Sequence, residues 1–237
     1  MADEADPRGA ERRSWSELVS SEDALPTLRE WIAAAPFLVE VLPAPEGAGA
    51  RALEALQITT RSPLGALAFH TGGLLVDHGW LRILGAGCPR LPRALDLWNG
   101  LPGERRCAEG LLVGDDVLGG FFAWFQEPRT VHYLAPDTAR WFDTGLGHRQ
   151  WLGFCLTERF TRFAADLRWE GWQPEVEGVD PASGLLVIPP LWAGGPALGD
   201  PRRSPVPVEE LWTLAVETER QLRDVPDGAK VVLKVEQ

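Results

Sequence analysis

Hydrophobic and polar positions alternate in recognisable blocks along this chain, most clearly between residues 110 and 125. Two short apolar runs, Leu111 to Val113 and Phe121 to Phe125, flank a segment containing Gly114, Asp115, Gly119 and Gly120. Short apolar runs divided by Gly and Asp predict neighbouring strands of a buried sheet. The pair Gly119-Gly120 predicts a backbone that needs positive φ or a very close neighbour. The block recurs upstream, where Leu74 to Val76 and Trp80 to Leu84 surround Asp77-His78-Gly79 and predict a hairpin. Further strands are predicted over 37–42, 130–134, 140–142 and 184–188.

Helical spacing appears elsewhere. Leu25, Leu28, Ile32 and Ala35 share one face of a helix over 23–35, with Pro26 tolerable in its first turn and Pro36 ending it. Short helices are predicted over 15–19, 50–57 and 93–98, while 64–71 fits either helix or strand. Trp151, Phe154 and Cys155 share one face, and Phe160, Phe163, Ala164 and Leu167 share the next, with Thr157 placed to cap the second helix. Residues 168–172 read as an aromatic turn and 191–207 as a Gly/Pro surface loop. Glu209 and Glu210 at the start of a final helix over 208–222, and Arg220 and Arg223 at its end, suit the helix dipole. Residues 231–235 read as a last strand or a tail. Gly-Leu-Leu-Val begins at Gly73, Gly110 and Gly184, but the flanks differ, so no repeat is implied.

These elements predict a single α+β domain with a largely antiparallel central sheet and flanking helices. Residues 1–13 are expected to be a disordered tail, 14–188 the core, and 189–237 a Pro/Gly loop and C-terminal helix packing on it.

Composition narrows the classes of function. The 237 residues are 45% hydrophobic and 24% charged, which is ordinary for a globular protein. The formal charge is −11, from 23 basic and 34 acidic residues. That balance argues against nucleic acid and favours a basic protein partner. Cys88, Cys107 and Cys155 lack CxxC spacing, so neither a disulfide framework nor a structural zinc site is expected. The N-terminus has no apolar signal segment, and no run reaches the ~20 residues that span a bilayer. The expected location is the cytoplasm, away from membranes.

No nucleophile elbow, P-loop, HExxH or dinucleotide fingerprint occurs. The four histidines, His70, His78, His132 and His148, are scattered. Asp77-His78 and Asp115-Asp116 sit at predicted strand ends. His78, Asp115 and Asp116 have the donor types of a metal site, or of a small-molecule or hydrolase pocket. Such residues in Gly-rich turns more commonly bond the local backbone. Catalytic residues, metal and cofactor are therefore not expected. Trp31, Trp124 and Trp151 are expected in the core. Trp169, Trp172 and Trp192 lie in predicted loops, as lids or as interface anchors.

Several motifs together resemble a known bacterial family. They are Thr59-Thr-Arg-Ser-Pro-Leu-Gly65, Thr71-Gly-Gly-Leu-Leu-Val-Asp-His-Gly-Trp-Leu-Arg-Ile-Leu-Gly85, Pro89-Arg-Leu-Pro-Arg93, Trp98-Asn99, Asp115-Asp-Val-Leu-Gly-Gly-Phe-Phe122, Tyr133-Leu-Ala-Pro-Asp137 and Leu167-Arg-Trp-Glu-Gly-Trp172. The chain resembles the domain of unknown function 2625 from about Trp31 to Leu222. The order of strands, acidic Gly-Gly turn and paired helices between Trp80 and Leu167 also resembles the SUKH superfamily. That likeness implies an α+β fold and a non-enzymatic immunity protein that binds a toxin. The expected contact surface is acidic, built on Asp77, Trp80, Asp115, Asp116 and Trp172. A small-molecule binder or metal-dependent hydrolase at the same sheet ends is the rival expectation, and a structural or regulatory protein a third.

Overall fold

A computed structural model of the chain describes residues 12–193 and 201–226. The expected α+β architecture is present as one domain. Its centre is an antiparallel meander in which each strand pairs with the next in sequence. The strands are β1 (Val39–Pro43), β2 (Thr71–Val76), β3 (Leu81–Leu84), β4 (Gly110–Asp116), β5 (Phe121–Phe125), β6 (Val131–Ala135) and β7 (Arg140–Asp143). Helices α1 (Trp15–Leu18), α2 (Leu25–Ala33), α3 (Ala48–Leu56) and α4 (Pro63–His70) precede β2 or separate it from β1. Helix α5 (Leu95–Trp98) lies between β3 and β4, and α6 (His148–Cys155) and α7 (Glu158–Phe163) follow β7. Then come α8 (Trp172–Glu177), the hairpin of β8 (Ser183–Ile188) and β9 (Arg202–Pro207), and α9 (Val208–Leu222).

The sheet is a middle layer, which explains why β2 and β3 are buried along their whole length rather than at alternate positions. Adjacent residues of β5 show the two faces. Phe121 meets Trp212 of α9, with ring centroids 5.0 Å apart. Phe122 meets Trp151 of α6 on the other side, at 5.4 Å. A strand sends successive side chains to opposite faces, so aromatic neighbours here pack against different layers of one core.

Gly119 and Gly120 each meet one of the two expectations. Gly119 has φ +79° in the turn between β4 and β5. At Gly120 a Cβ would lie 2.1 Å from Asp116 Oδ2 and 2.5 Å from the Tyr133 hydroxyl, so any side chain would displace that contact. The ambiguous stretch at 64–71 is helical. Ser62 accepts a hydrogen bond from Gly65 N at 3.0 Å, and Pro63 occupies the first turn, so the start is capped in the ordinary way.

Three expectations need correction. The Gly/Pro stretch before residue 208 contains β9, which pairs with β8 from Ser183↔Pro207 to Ile188↔Arg202. Proline is tolerated in β9 because its other side pairs with no strand among the described residues. The division expected after residue 188 thus separates β8 from its partner. The aromatic turn at 168–172 leads directly into helix α8. Arg12 and Arg13 are not loose: Arg12 Nη2 donates to Glu54 O at 2.6 Å, and Arg13 N to Gln57 Oε1 at 2.9 Å. Residues 1–11 and the segment 231–235 lie outside the described residues.

Candidate binding site

The pair Asp115-Asp116 ends β4, and the alternation seen at Phe121-Phe122 applies to it too. The two carboxylates point to opposite faces of the sheet and form two separate networks.

Asp115 faces the β8 side. Arg93 grips it through Nε to Oδ2 at 3.1 Å and Nη2 to Oδ1 at 3.0 Å, and Arg82 Nη1 approaches Oδ1 at 3.4 Å. All three side chains are at least 96% buried. The guanidiniums continue outward, Arg82 Nη2 donating to Ser183 O at 2.7 Å and Arg93 Nη1 to Pro181 O at 2.9 Å. The triad thereby ties the segment entering β8 to the central sheet. Burial draws the Arg82 pKa down to about 10, against the pull of Asp115, and neighbouring Arg93 adds to the fall.

Asp116 faces the α6 side. Its Oδ1 accepts from Leu118 N at 2.8 Å and Gly120 N at 3.0 Å, and the Tyr133 hydroxyl donates to Oδ2 at 2.6 Å. Burial raises the pKa of Asp116, and the three hydrogen bonds oppose that rise. Tyr133 is pushed well above the ordinary phenol value, by burial first and then by the adjacent carboxylate.

Asp77 and Trp80 lie beneath α8. Arg168 Nη2 donates to Asp77 Oδ2 at 2.5 Å, and its guanidinium lies 5.1 Å from the Trp80 ring and 4.2 Å from the Trp172 ring. Trp80 also meets Trp169 and Trp172, with centroids 5.8 and 5.2 Å away. Trp169 and Trp172, the second of which opens α8 rather than lying in a loop, are therefore lids that pack on this ring. His78 Nδ1 is 2.5 Å from Glu177 Oε1, on the side of α8.

This placement corrects the expected acidic surface. Asp77, Trp80, Asp115 and Asp116 are all buried, and Trp172 alone of the five is partly exposed. A carboxylate buried against guanidiniums or amides has no charge left to offer a partner across solvent. The metal set His78, Asp115 and Asp116 is not assembled either. Each has its own separate partner, and no cluster of potential metal ligands occurs among the described residues.

A different arrangement lies where α4 and α6 both begin. Thr59, Ser62, Pro63 and Leu64 at the start of α4 face Gly147 to Gln150 at the start of α6 across a cleft of about 720 Å³. Ile58, Leu64 and Trp124 contribute apolar wall, and Arg13, Arg129 and Arg149 line the same cleft. His148 stands in its wall at 6% exposure, and its Nε2 has no hydrogen-bond partner among the described residues. Burial alone lowers the His148 pKa to about 4, so the ring is neutral at pH 7. Trp124 is half-buried, anchored by Nε1 donating to Arg129 O at 3.1 Å, and its ring centroid is 6.0 Å from that of His148.

Sequence reading missed this cleft. It placed His148 among scattered histidines and Trp124 in the core, and it gave no role to the three arginines. The available signals were Gly147 immediately before His148 and the Thr59–Gly65 motif. Neither reveals that residues about 90 positions apart meet, since that follows from the packing of α4 against α6.

The fold and these networks accompany a clear family relationship. Residues 15–211 match the family described as protein of unknown function DUF2625, and the chain belongs to that family. It is 34% identical over 208 residues to the uncharacterized protein YbfG of Escherichia coli (strain K12), covering 85% of this chain and 95% of that one. It is 33% identical over 173 residues to an uncharacterized protein of Haemophilus influenzae (strain ATCC 51907 / DSM 11121 / KW20 / Rd), covering 70% of this chain and 76% of that one. No solved structure matches the chain.

Proposed function

We propose that the protein is a non-enzymatic binding module that engages a basic protein partner through the α8 segment. The observation that carries this reading is the exposed surface of that segment. Trp172 is half-buried there, and Glu170, Glu175, Glu177 and Asp180 around it are exposed. A ring held by Arg168 and Trp80 is pre-ordered, which lowers the entropy lost on contact. Glu175 is shared with Arg203 and Glu177 with His78. Glu170 and Asp180 form no ion pair among the described residues and attract a cationic partner, and the chain's net charge of −11 adds to the long-range field. The partner surface expected on Asp77 and Trp80 is thus moved outward, to the helix that covers them.

In this reading the partner is a basic toxin, neutralised by direct binding, and the module acts in the cytoplasm. The three cysteines are unpaired, in keeping with a reducing compartment. No helix among the described residues is long and apolar enough to cross a membrane.

The test is surface plasmon resonance against the basic proteins encoded beside this chain's gene, at low and physiological salt. A complex is expected whose association rate falls roughly tenfold between the two conditions. The double variant Glu170→Gln/Asp180→Asn should slow association and leave the melting temperature near the parent's. Absence of binding to every such protein, or association indifferent to salt and to the double variant, refutes the reading.

A further inference from the structure

We infer that the cleft between the starts of α4 and α6 is a binding site for a small organic anion with a flat apolar body. Ligand, surface and residues here are all distinct from those of the α8 reading.

Charge gives the first argument. In a chain with an acidic excess of 34 to 23, three arginines line one cleft. None of Arg13, Arg129 and Arg149 forms an ion pair with a carboxylate among the described residues. Arg13 acts on Glu17 only at longer range, and Arg149 lies 5.3 Å from the Trp31 ring. Elsewhere on the same molecule exposed arginines do find carboxylates, as Arg61 finds Glu22 at 2.9 Å and Arg220 finds Glu217 at 2.7 Å.

Backbone gives the second. Two helices of eight residues each, α4 and α6, begin at the cleft. At α6 the first-turn amides have no intrahelical partner, whereas at α4 Pro63 has no N–H and Ser62 already caps Gly65 N, so α4 adds chiefly the positive end of its dipole to the arginine charges.

His148 backs the cleft as a buried, neutral ring. Its Nε2 is sealed in the wall without a partner among the described residues, a cost of roughly 1–3 kcal/mol for a neutral group. At pH 7 the ring therefore adds an apolar backing to the cleft rather than a further cation. The apolar wall of Ile58, Leu64 and Trp124 sets the rest of the ligand. A cleft that is mostly apolar, with a few polar groups at fixed places, has the form of a small-molecule site. A second cleft of about 650 Å³ shares Ile58, Leu64, Trp124 and Arg129, and gives the apolar body room to extend. The class of ligand is therefore an aromatic or similarly flat molecule carrying a carboxylate or a phosphate.

The test uses two fluorescent probes of similar shape on the full chain. 1-Anilinonaphthalene-8-sulfonate is anionic, and N-phenyl-1-naphthylamine is uncharged. The anionic probe should bind with enhanced emission, and Arg129→Gln/Arg149→Gln should weaken it roughly tenfold or more. The uncharged probe should be affected less than threefold. Both arginines are exposed, so circular dichroism and melting temperature should match the parent. Displacement by benzoate assigns a carboxylate ligand, and displacement by phenyl phosphate assigns a phosphate. Absence of anionic binding, equal binding by parent and double variant, or displacement by neither competitor overturns the proposal. None of these outcomes touches the α8 surface, whose carboxylates lie on other elements.

Discussion

The Asp115 network and the α4–α6 cleft handle charge in opposite ways. In the first, one carboxylate and two guanidiniums are sealed between the sheet and the β8 segment, and Arg82 Nε alone lacks a partner. In the second, three arginines line an open cleft without a carboxylate, next to a buried imidazole with an idle nitrogen. Closed networks hold a structure together, and once neutralised they have little left for an outside molecule. Unspent donors at an accessible wall are where a ligand gains most. The more conspicuous acidic motif is thus the structural one, and the scattered cations mark the candidate site.

The largest effect should come from breaking the closed network. Asp115→Ala leaves two guanidiniums buried without their counter-charge. It should cost roughly 3–5 kcal/mol in equilibrium urea unfolding. A change below 1 kcal/mol would show that the triad is not sealed and would erase the contrast.

His148 sets a pH dependence that belongs to the cleft. Its folded pKa, about 4, lies below the ordinary 6.5. The unfolded chain therefore binds the proton more readily. The stabilising contribution of the neutral ring is complete above pH 6.5 and is lost as pH falls from 6.5 towards 4. The loss at the lower end is about 3 kcal/mol. In His148→Phe, the fall in the urea midpoint between pH 7 and pH 4 should shrink by a matching amount. An unchanged fall would place the sensitivity elsewhere.

Tyr133→Phe should cost roughly 1–3 kcal/mol, because Asp116 Oδ2 loses its buried donor. Chemical denaturation that ranks Tyr133→Phe above Asp115→Ala would reverse the order of the two networks. The smallest effect is expected in the cleft. Arg129→Gln/Arg149→Gln should stay within about 1 kcal/mol of the parent by calorimetry, since both side chains are exposed without ion pairs and the one ring contact, of Arg149 with Trp31, is at the surface. A larger loss would make those arginines structural.

Most strands and the major helices were legible in the chain. Apolar runs separated by Gly-Asp turns marked β2 to β5, and the faces of α2, α6 and α9 showed helical spacing. Strand β9 was not legible, because Arg202-Arg-Ser-Pro-Val-Pro207 carries prolines and few apolar residues. It becomes a strand through pairing with β8, a long-range contact that local propensity does not encode. Of the candidate partner residues, Asp77, Trp80, Asp115 and Asp116 were chosen for polarity or size at strand ends. Neither property says whether another layer covers the strand end. Here α8 and the β8–β9 hairpin do.

By itself the sequence determined the α+β class, a largely antiparallel sheet, and the family. It also determined the need for glycine at 119 and 120. These are local matters of periodicity, turn chemistry and steric room, settled within a few residues. Only the tertiary structure decided which charges are spent. Strand alternation sends Asp115 and Asp116 to opposite faces, where separate layers bury them. The meeting of α4 with α6 puts Arg13, Trp124, Arg129, His148 and Arg149 around one cleft. Burial and partnership depend on chain segments far apart in sequence, so the same side chain can be a brace or a binding group until its neighbours are known.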